Sequence, residues 1–328
     1  MKAWEVRVGK LGLHVVESVH PGEGEIVVRI SHTGICASDL PKLLRPDGFA
    51  LPEPWRPGHE IVGTDQTGRD VAVDPLVPCG TCTRCAAGDT HLCPGLRRLG
   101  WDLPGGLAEQ VVVPAGNAHQ LPDDLNRLHA ALADPAAVAI HGLRCNPIGS
   151  PGRLAVIGAG TIGLLTALYA HQQGWQVTVI HRDERAPRAT VAEAVPAEFR
   201  SPTALLWDEA FDVVVDAATG ADPVPLDLAL RLVDDGGTVV VQNAYHPDVR
   251  LPTPLRDLFR RSIRVIGSFC YCRRLRPDDF TLALDLLVTH ANQVVSLVAE
   301  AGHLPDLTAV LDGRSTRSGR QVLAVHTP

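Results

Sequence analysis

Lysine is scarce in this chain. Only Lys2, Lys10 and Lys42 occur, and the remaining basic residues, out of 30 in all, are arginine. With plentiful alanine and proline, that bias reads as the mark of a GC-rich genome and not of a basic ligand. Positive charge is not in surplus either: the formal net charge is −7, which argues against a protein whose main task is gripping nucleic acid. No apolar run approaches the ~20 residues of a membrane-spanning helix, and no internal repeat or low-complexity stretch occurs. Nor does an apolar signal segment open the chain. Met1-Lys2-Ala3-Trp4-Glu5 leads straight into strand alternation, so a cytoplasmic protein is expected. What is present is 328 residues with 45% hydrophobic and 20% charged content, enough for two domains with a core each.

Cysteine is used in one concentrated place. Cys79, Cys82, Cys85 and Cys93 lie in PCGTCTRCAAGDTHLCP with C-x2-C-x2-C-x7-C spacing. Thiolates two residues apart can turn onto one metal, and a fourth from a short return loop closes a tetrahedron. Four sulfurs leave no open coordination position, so the expectation is a structural zinc. The rival is two disulfides, which the lack of any secretory feature disfavours.

The first part of the chain reads as β-structure. Leu13–Glu17, Glu25–Ile30, Val71–Val73 and Ala108–Val113 are short β-branched runs set between Gly and Pro, which suggests a compact, partly closed barrel. The period changes near residue 150. Leu154–Ile157, Val177–Ile180, Phe211–Val215, Gly237–Val241 and Ile263–Gly267 are continuous apolar strands, with a helix over Ile162–Gln173. Strands without alternation, separated by helices, imply a parallel sheet covered on both faces. A helix from Asp278 to about His290 and a strand from Gln321 to His326 read as a return to the first domain. The expected organisation is therefore α/β, with residues 1–145 and 268–328 as one domain carrying the zinc lobe at 79–93, and residues 146–267 as a dinucleotide-binding domain.

Two further constellations carry chemistry. Gly158-Ala159-Gly160-Thr161-Ile162-Gly163 follows an apolar strand and opens a helix. In that context the first glycine makes the tight turn, the second admits a pyrophosphate, and the third lets helix and sheet approach. The bland reading is a structural turn. At the end of the next strand stand His181 and Arg182, where a cation suits a 2′-phosphate and leans towards NADP, while Asp183 keeps NAD open. Elsewhere, Gly34-Ile35-Cys36-Ala37-Ser38-Asp39-Leu40 and Gly58-His59-Glu60-Ile61-Val62-Gly63 offer a thiolate and an imidazole from separate segments. Such a pair is typical of a catalytic zinc with an open position. Alone, Cys36 would read as a small buried hydrophobe and His59 as a core histidine.

Taken together, GICASDL, GHEIVG, the four-cysteine lobe, GGLAEQVVVPAGNAHQLPDDL, DPAAVAIH and GAGTIG resemble, in order, the zinc-containing medium-chain alcohol dehydrogenases. The resemblance implies a GroES-like β-barrel catalytic domain and a Rossmann doubly wound parallel sheet. It implies two zinc ions per chain, NADP or NAD as coenzyme, and a homodimer or homotetramer. Cys36 and His59 would be ligands of the catalytic zinc, with Glu60 a ligand or an exchangeable neighbour. Ser38 would pass on the substrate proton, and Asp39 would hold the His59 ring. Where polyol-dehydrogenase-like members have Glu-Pro, this chain has Asp134-Pro135. Asp134 is thus expected near the metal, directly or through water, with a helix N-cap as its rival role.

Two departures accompany the resemblance. Pro41 stands where the family often has a proton-relaying histidine, and proline can relay nothing. The connection Gly63–Gly68 is short, and reads as a trimmed hairpin. Cys145, Cys270 and Cys272 are expected to pack in core or pocket, and Trp55, Trp101 and Tyr271 to wall the substrate pocket or fill the core. The activity implied is hydride transfer between a secondary alcohol of a polyol, cyclitol or sugar-derived molecule and the nicotinamide. The alternatives are an NADPH-dependent reductase of a carbonyl or imine and, remotely, a non-catalytic zinc-finger binding protein. Neither a membrane nor a nucleic acid is an expected partner.

Overall fold

The computed structural model describes residues 1–182, 194–206, 209–218, 222–246, 248–313 and 319–325. The chain forms two compact units, Met1–Asp134 with Cys272–Pro328, and Pro135–Tyr271. The sequence reading puts these divisions at 145/146 and 267/268. The first difference lies in the helix Ala133–Arg144. Its Val138 carbonyl accepts from Gln242 Nε2 at 2.7 Å, and its Gly142 abuts the same Gln242 side chain, which ties the body of the helix to the second unit.

In the first unit, β1 (Lys2–Arg7) and β2 (Lys10–Val15) form an antiparallel hairpin. The main sheet is built around β3 (Glu25–Gly34), with β4 (Glu60–Asp65), β5 (Asp70–Val73) and, after the short pair β6 (Leu76–Val77) and β7 (Arg97–Arg98), β8 (Gln110–Pro114) and β9 (Ala118–Gln120). The first half of β3 pairs with β8, and its second half with a strand from the end of the chain. A bulge between Ile30 and His32 bends β3 between these two partnerships. Val28, Ile30, Ile61, Val71, Val73, Val111 and Val113 point into one core. A second core gathers Trp4, Val6, Trp55, Leu107 and Leu323. Its two indoles are satisfied, with Trp4 Nε1 donating to Leu304 O at 2.6 Å and Trp55 Nε1 to Gly100 O at 2.8 Å. Trp55, only 2% exposed, is therefore a core residue and not a pocket wall.

The second unit is a six-stranded parallel sheet. Its strands are β10 (Arg153–Ile157), β11 (Gln176–Ile180), β12 (Glu198–Arg200), β13 (Phe211–Asp216), β14 (Val233–Val241) and β15 (Arg264–Gly267), in the spatial order 12-11-10-13-14-15. That is the 3-2-1-4-5-6 order of a doubly wound sheet, whose strand order reverses beside the first strand. β12 was not among the strands read from the sequence, because Glu198-Phe199-Arg200 is short and polar. The first unit is completed by the helix Asp279–Thr289, capped by Asp278 Oδ1 accepting from Thr281 N at 2.9 Å, and by β16 (Val298–His303) and β17 (Arg320–Ala324). The expected end of β17 at His326 lies outside the described residues. No helix among the described residues is long and apolar enough to cross a membrane.

The trimmed connection is a closed hairpin. β4 and β5 pair from Ile61↔Val73 to Thr64↔Asp70, and Asp65 organises the turn. Its Oδ1 accepts from Thr67 N, Thr67 Oγ1 and Arg69 N at 2.8, 2.7 and 3.0 Å, and its Oδ2 from Arg69 Nε at 2.9 Å. Burial pushes this carboxyl up, but the donors of Thr67 and Arg69 outweigh it and hold Asp65 well below the usual carboxylate range. A depressed folded-state pKa gives stability that is present above the unfolded value of about 3.9 and lost as pH falls through the folded one. Asp65→Asn is therefore expected to cost about 1–3 kcal/mol at neutral pH. The gap between variant and wild type should close below about pH 4, as followed by denaturant unfolding across pH.

Candidate active site and metal centres

Three neighbouring strands deliver the site. In the order β17-β3-β4, antiparallel pairing places Gly34 opposite both Val322 and Glu60. The end of β3 and the starts of β4 and β17 thus meet at one edge. Cys36 follows β3, His59 directly precedes β4 and Glu60 opens it, and Arg320 opens β17. Gly34 is obligatory, since a Cβ there would sit 2.1 Å from Glu60 Oε2.

The donor atoms of Cys36, His59 and Glu60 all lie within 4.8 Å of one another. His59 Nδ1 stands 3.2 Å from Asp39 Oδ2, an ion-pair distance, which leaves the other ring nitrogen for a metal. Both Glu60 oxygens are buried and make no hydrogen bond. The compensating charge is Arg320, which was not picked out from the sequence. Its Nε is 3.3 Å from Glu60 Oε2, and its Nη1 donates to Ile35 O at 3.1 Å.

These contacts set the protonation states. Burial pushes the Cys36 thiol up, yet Arg320 and His59 bring it down to about 6. Burial raises Glu60 to about 8 despite the opposing pull of Arg320. Burial works against the charged form of His59, but Asp39 and Cys36 overcome it and hold the imidazole well above its ordinary value. A thiolate, an imidazole and an orphaned buried carboxylate form a mixed S, N, O set that suits zinc.

Asp134 does not join the close group. It lies in the first turn of the helix Ala133–Arg144, inside the helix and not ahead of it as an N-cap, and its charge acts on Arg320. Ser38 is exposed, with its Oγ 3.3 Å from Cys36 Sγ. Beside it, Lys42 Nζ donates to Ser38 O at 2.7 Å and rests 3.8 Å from the Trp101 ring centre. Trp101 in turn lies 6.3 Å from the His59 ring, so of the expected pocket aromatics it is the one beside the metal donors. Tyr271 is buried.

The cysteine lobe is a second candidate centre. Cys82 Sγ is 3.5 Å from Cys85 Sγ and 3.8 Å from Cys93 Sγ, and Cys79 Sγ is 4.0 Å from Cys85 Sγ. A tetrahedron with zinc–sulfur arms of about 2.3 Å has edges of about 3.8 Å, whereas a disulfide requires about 2.05 Å. None of the four is in a disulfide, nor are Cys145, Cys270 and Cys272. Of these last three, Cys272 is buried and its backbone N–H donates to Asp279 Oδ2 at 2.9 Å, in keeping with packing. The lobe is anchored to the returning chain by Arg273 N donating to Gly88 O at 3.0 Å and by Arg274 facing Asp89.

In the second unit, the glycines of the β10 turn divide their work. Gly158 takes φ of +111°. A Cβ on Gly163 would lie 1.9 Å from Gly158 O, while Gly160 has open space where its Cβ would be. Gly160 is exposed at the start of the helix Thr161–Gln172, preceded by Ala159, and Ile162 lies in the first turn. The open approach and the free N–H groups of a helix start fit a pyrophosphate. His181 directly follows β11, its N–H donating to Arg200 O at 3.0 Å, and Arg182 beside it is exposed. Asp183 lies outside the described residues.

Comparison with known proteins agrees with both halves. The family described as the alcohol dehydrogenase GroES-like domain matches residues 22–123, and that described as zinc-binding dehydrogenase matches residues 161–289. The chain is 34% identical over 297 residues to the D-altritol 5-dehydrogenase of Agrobacterium fabrum, covering 84% of each protein. It is 28% identical over 302 residues to the L-galactonate-5-dehydrogenase of Escherichia coli, covering 82% of this chain and 85% of that protein. A crystal structure of a zinc-binding dehydrogenase from Sinorhizobium meliloti, bound to NADP, superposes with a TM-score of 0.87 at 27% identity over 98% of each chain.

The two glycines should separate on substitution. Gly163→Ala is expected to destabilise the fold by about 1–3 kcal/mol through overpacking. Gly160→Ala, with room for its methyl, should melt within a few degrees of wild type yet bind coenzyme about tenfold more weakly. Thermal melts and nicotinamide fluorescence titration of both variants measure the contrast.

Proposed function

The chain belongs to the zinc-containing medium-chain alcohol dehydrogenases, and on that premise we propose that it oxidises a secondary alcohol of a small polyol or sugar-derived molecule, with NADP preferred over NAD. The observation that carries this reading is the group Cys36, His59 and Glu60, with buried, unsatisfied carboxylate oxygens. When bound, zinc supplies a Lewis acid for the substrate oxygen, and the nicotinamide supplies the hydride acceptor. Cys36 and His59 hold the metal, and Asp39 fixes the His59 ring. Glu60 is either a third protein ligand or a neighbour retained by Arg320, and Asp134 acts at longer range as a charge beside Arg320. Ser38 Oγ, exposed next to Cys36, takes the alcohol proton. Because Pro41 cannot pass it on, the proton leaves to water.

The four-cysteine lobe holds the second zinc, so two ions per chain are proposed, and free thiols throughout fit a reducing, cytoplasmic setting. A polyol substrate is supported by the altritol and galactonate dehydrogenases among the relatives. The glycine loop Gly158–Gly163 binds the coenzyme, and Arg182 with His181 at the end of β11 favours the 2′-phosphate. A homo-oligomer is supported by the last strand of the six-stranded sheet, β15, which among the described residues is paired on one side only. Beside it in sequence are the exposed side chains Leu255 and Phe259.

A panel of alditols, aldonates and ketoses assayed with both coenzymes tests the reaction; no turnover of any of them would overturn it. Elemental analysis should give two zinc ions in wild type and one in Cys36→Ser, which should keep its melting temperature but lose activity. Cys82→Ser should also retain one, with a marked loss of stability, since structural zinc binding contributes directly to folding. Arg182→Asp should lower the NADP/NAD ratio of kcat/KM by about 10-fold or more, from loss of a charge-assisted hydrogen bond and added repulsion. An unmoved ratio would mean that the phosphate never meets Arg182.

A further inference from the structure

Lys42 stands apart from the machinery already described. It is one of only three lysines, and it lies on the short helix Leu40–Leu44, just after the segment bearing Cys36 and Ser38. Its ammonium is held in place twice, by donation to Ser38 O at 2.7 Å and by the face of Trp101, 3.8 Å from the ring centre. Phe49 lies on a further side at 5.7 Å. An ammonium has three protons to donate, and Ser38 O takes one. Among the described residues no carboxylate comes within ion-pairing distance of Lys42. The neighbouring cation on Trp101 is Arg98, 4.8 Å from the ring, and it already has a partner in Asp102 at 3.0 Å. Asp39 is engaged by His59. The described residues do not supply the opposite side of the pairing, at a place linked to the candidate metal donors through the Trp101–His59 contact of 6.3 Å.

We propose that Lys42 is a specificity-determining residue that binds a terminal anionic group, carboxylate or phosphate, on the polyol substrate. The substrate class is then an acidic sugar derivative carrying the reacting secondary hydroxyl at a distance from its anion, and not a neutral alditol. The inference rests on the polyol reading above and sharpens it. Partial burial disfavours the ammonium, and Lys42 titrates below its ordinary value for that reason first, against the opposing pull of Asp39 and Cys36. An arriving anion reverses this cost by completing a desolvated ion pair. Trp101 keeps the side chain from folding away, because leaving the ring would sacrifice a cation–π contact. Lysine suits this role as a compact point charge with rotatable donors, able to face either kind of anion.

The test compares gluconate, sorbitol 6-phosphate and sorbitol as probes, with wild type, Lys42→Gln and Lys42→Arg. Wild type should favour an anionic probe over sorbitol in kcat/KM. Lys42→Gln should reduce that anionic-to-neutral ratio by about 10- to 100-fold, mainly through KM, and Lys42→Arg should restore much of it. The gluconate and phosphate arms show which anion is preferred. Direct titration of the zinc-loaded protein with gluconate and with sorbitol 6-phosphate, read by tryptophan fluorescence, needs no turnover. Binding should saturate in wild type and weaken by the same factor in Lys42→Gln. If sorbitol is oxidised and the anionic probes are neither preferred nor bound, the Lys42 role is overturned while the polyol reading stands. Failure of all three probes both to turn over and to bind overturns the two together. An equal loss on neutral and anionic probes in Lys42→Gln would reduce Lys42 to a structural strut and also refute the proposal.

Discussion

The half-buried thiol of Cys36 and the buried carboxylate of Glu60, within 4.8 Å of each other, require positive charge, because neither anion survives alone in a medium of low dielectric constant. Arg320 meets that requirement from the far end of the chain, and much of the first unit is arranged so that it can. β17 must lie antiparallel against the end of β3, which puts Arg320 level with Ile35 and Cys36. Gly34 must lack a side chain, so that Glu60 can fold in between. The returning segment Cys272–Pro328 is thus part of the site and not an appendage, and its anchors on the cysteine lobe through Arg273 and Arg274 hold the same return path. Removing Arg320 would strand the buried Glu60 carboxyl without its cation, at a cost of several kcal/mol.

The parts legible in the sequence are those whose chemistry is local. The Gly158–Gly163 loop declares its turn, its phosphate approach and its packing within six residues, and the structure gives each of Gly158, Gly160 and Gly163 a distinct geometry to match. The cysteine lobe is likewise contained in one loop, and its sulfur separations fit one tetrahedral ion. The shortened hairpin could be anticipated because Arg69, Asp70 and Val71 survive directly after it. What could not be read are the residues whose meaning depends on strands meeting. Arg320 is nearly the whole chain away from Cys36 and belongs to no motif; its only signal was a charge at the head of an apolar strand. Lys42 is conspicuous only once Trp101, from a separate loop, is laid beneath it. Asp134 was ambiguous for a related reason: Asp-Pro at a helix start suits a cap or a ligand, and local sequence does not reveal that the helix begins one residue earlier, at Ala133.

Glu60 is where these constraints converge. Its oxygens have no hydrogen-bond donor, so its charge depends on two cations that it cannot serve equally, the guanidinium of Arg320 and a metal held by Cys36 and His59. Held by Arg320, the carboxylate would stay out of the ligand set of a metal that Cys36 and His59 would hold, leaving a position for a substrate oxygen. Turned to that metal, it would fill the position and leave Arg320 with Cys36 and Asp134 as acidic neighbours. An aspartate one methylene shorter than the commoner glutamate suits this arrangement, because it acts from the helix on Arg320 without entering the donor group itself. The ion pair at 3.3 Å therefore does more than neutralise charge. By holding Glu60 back, Arg320 would, on the proposed reading, keep a coordination position for the substrate.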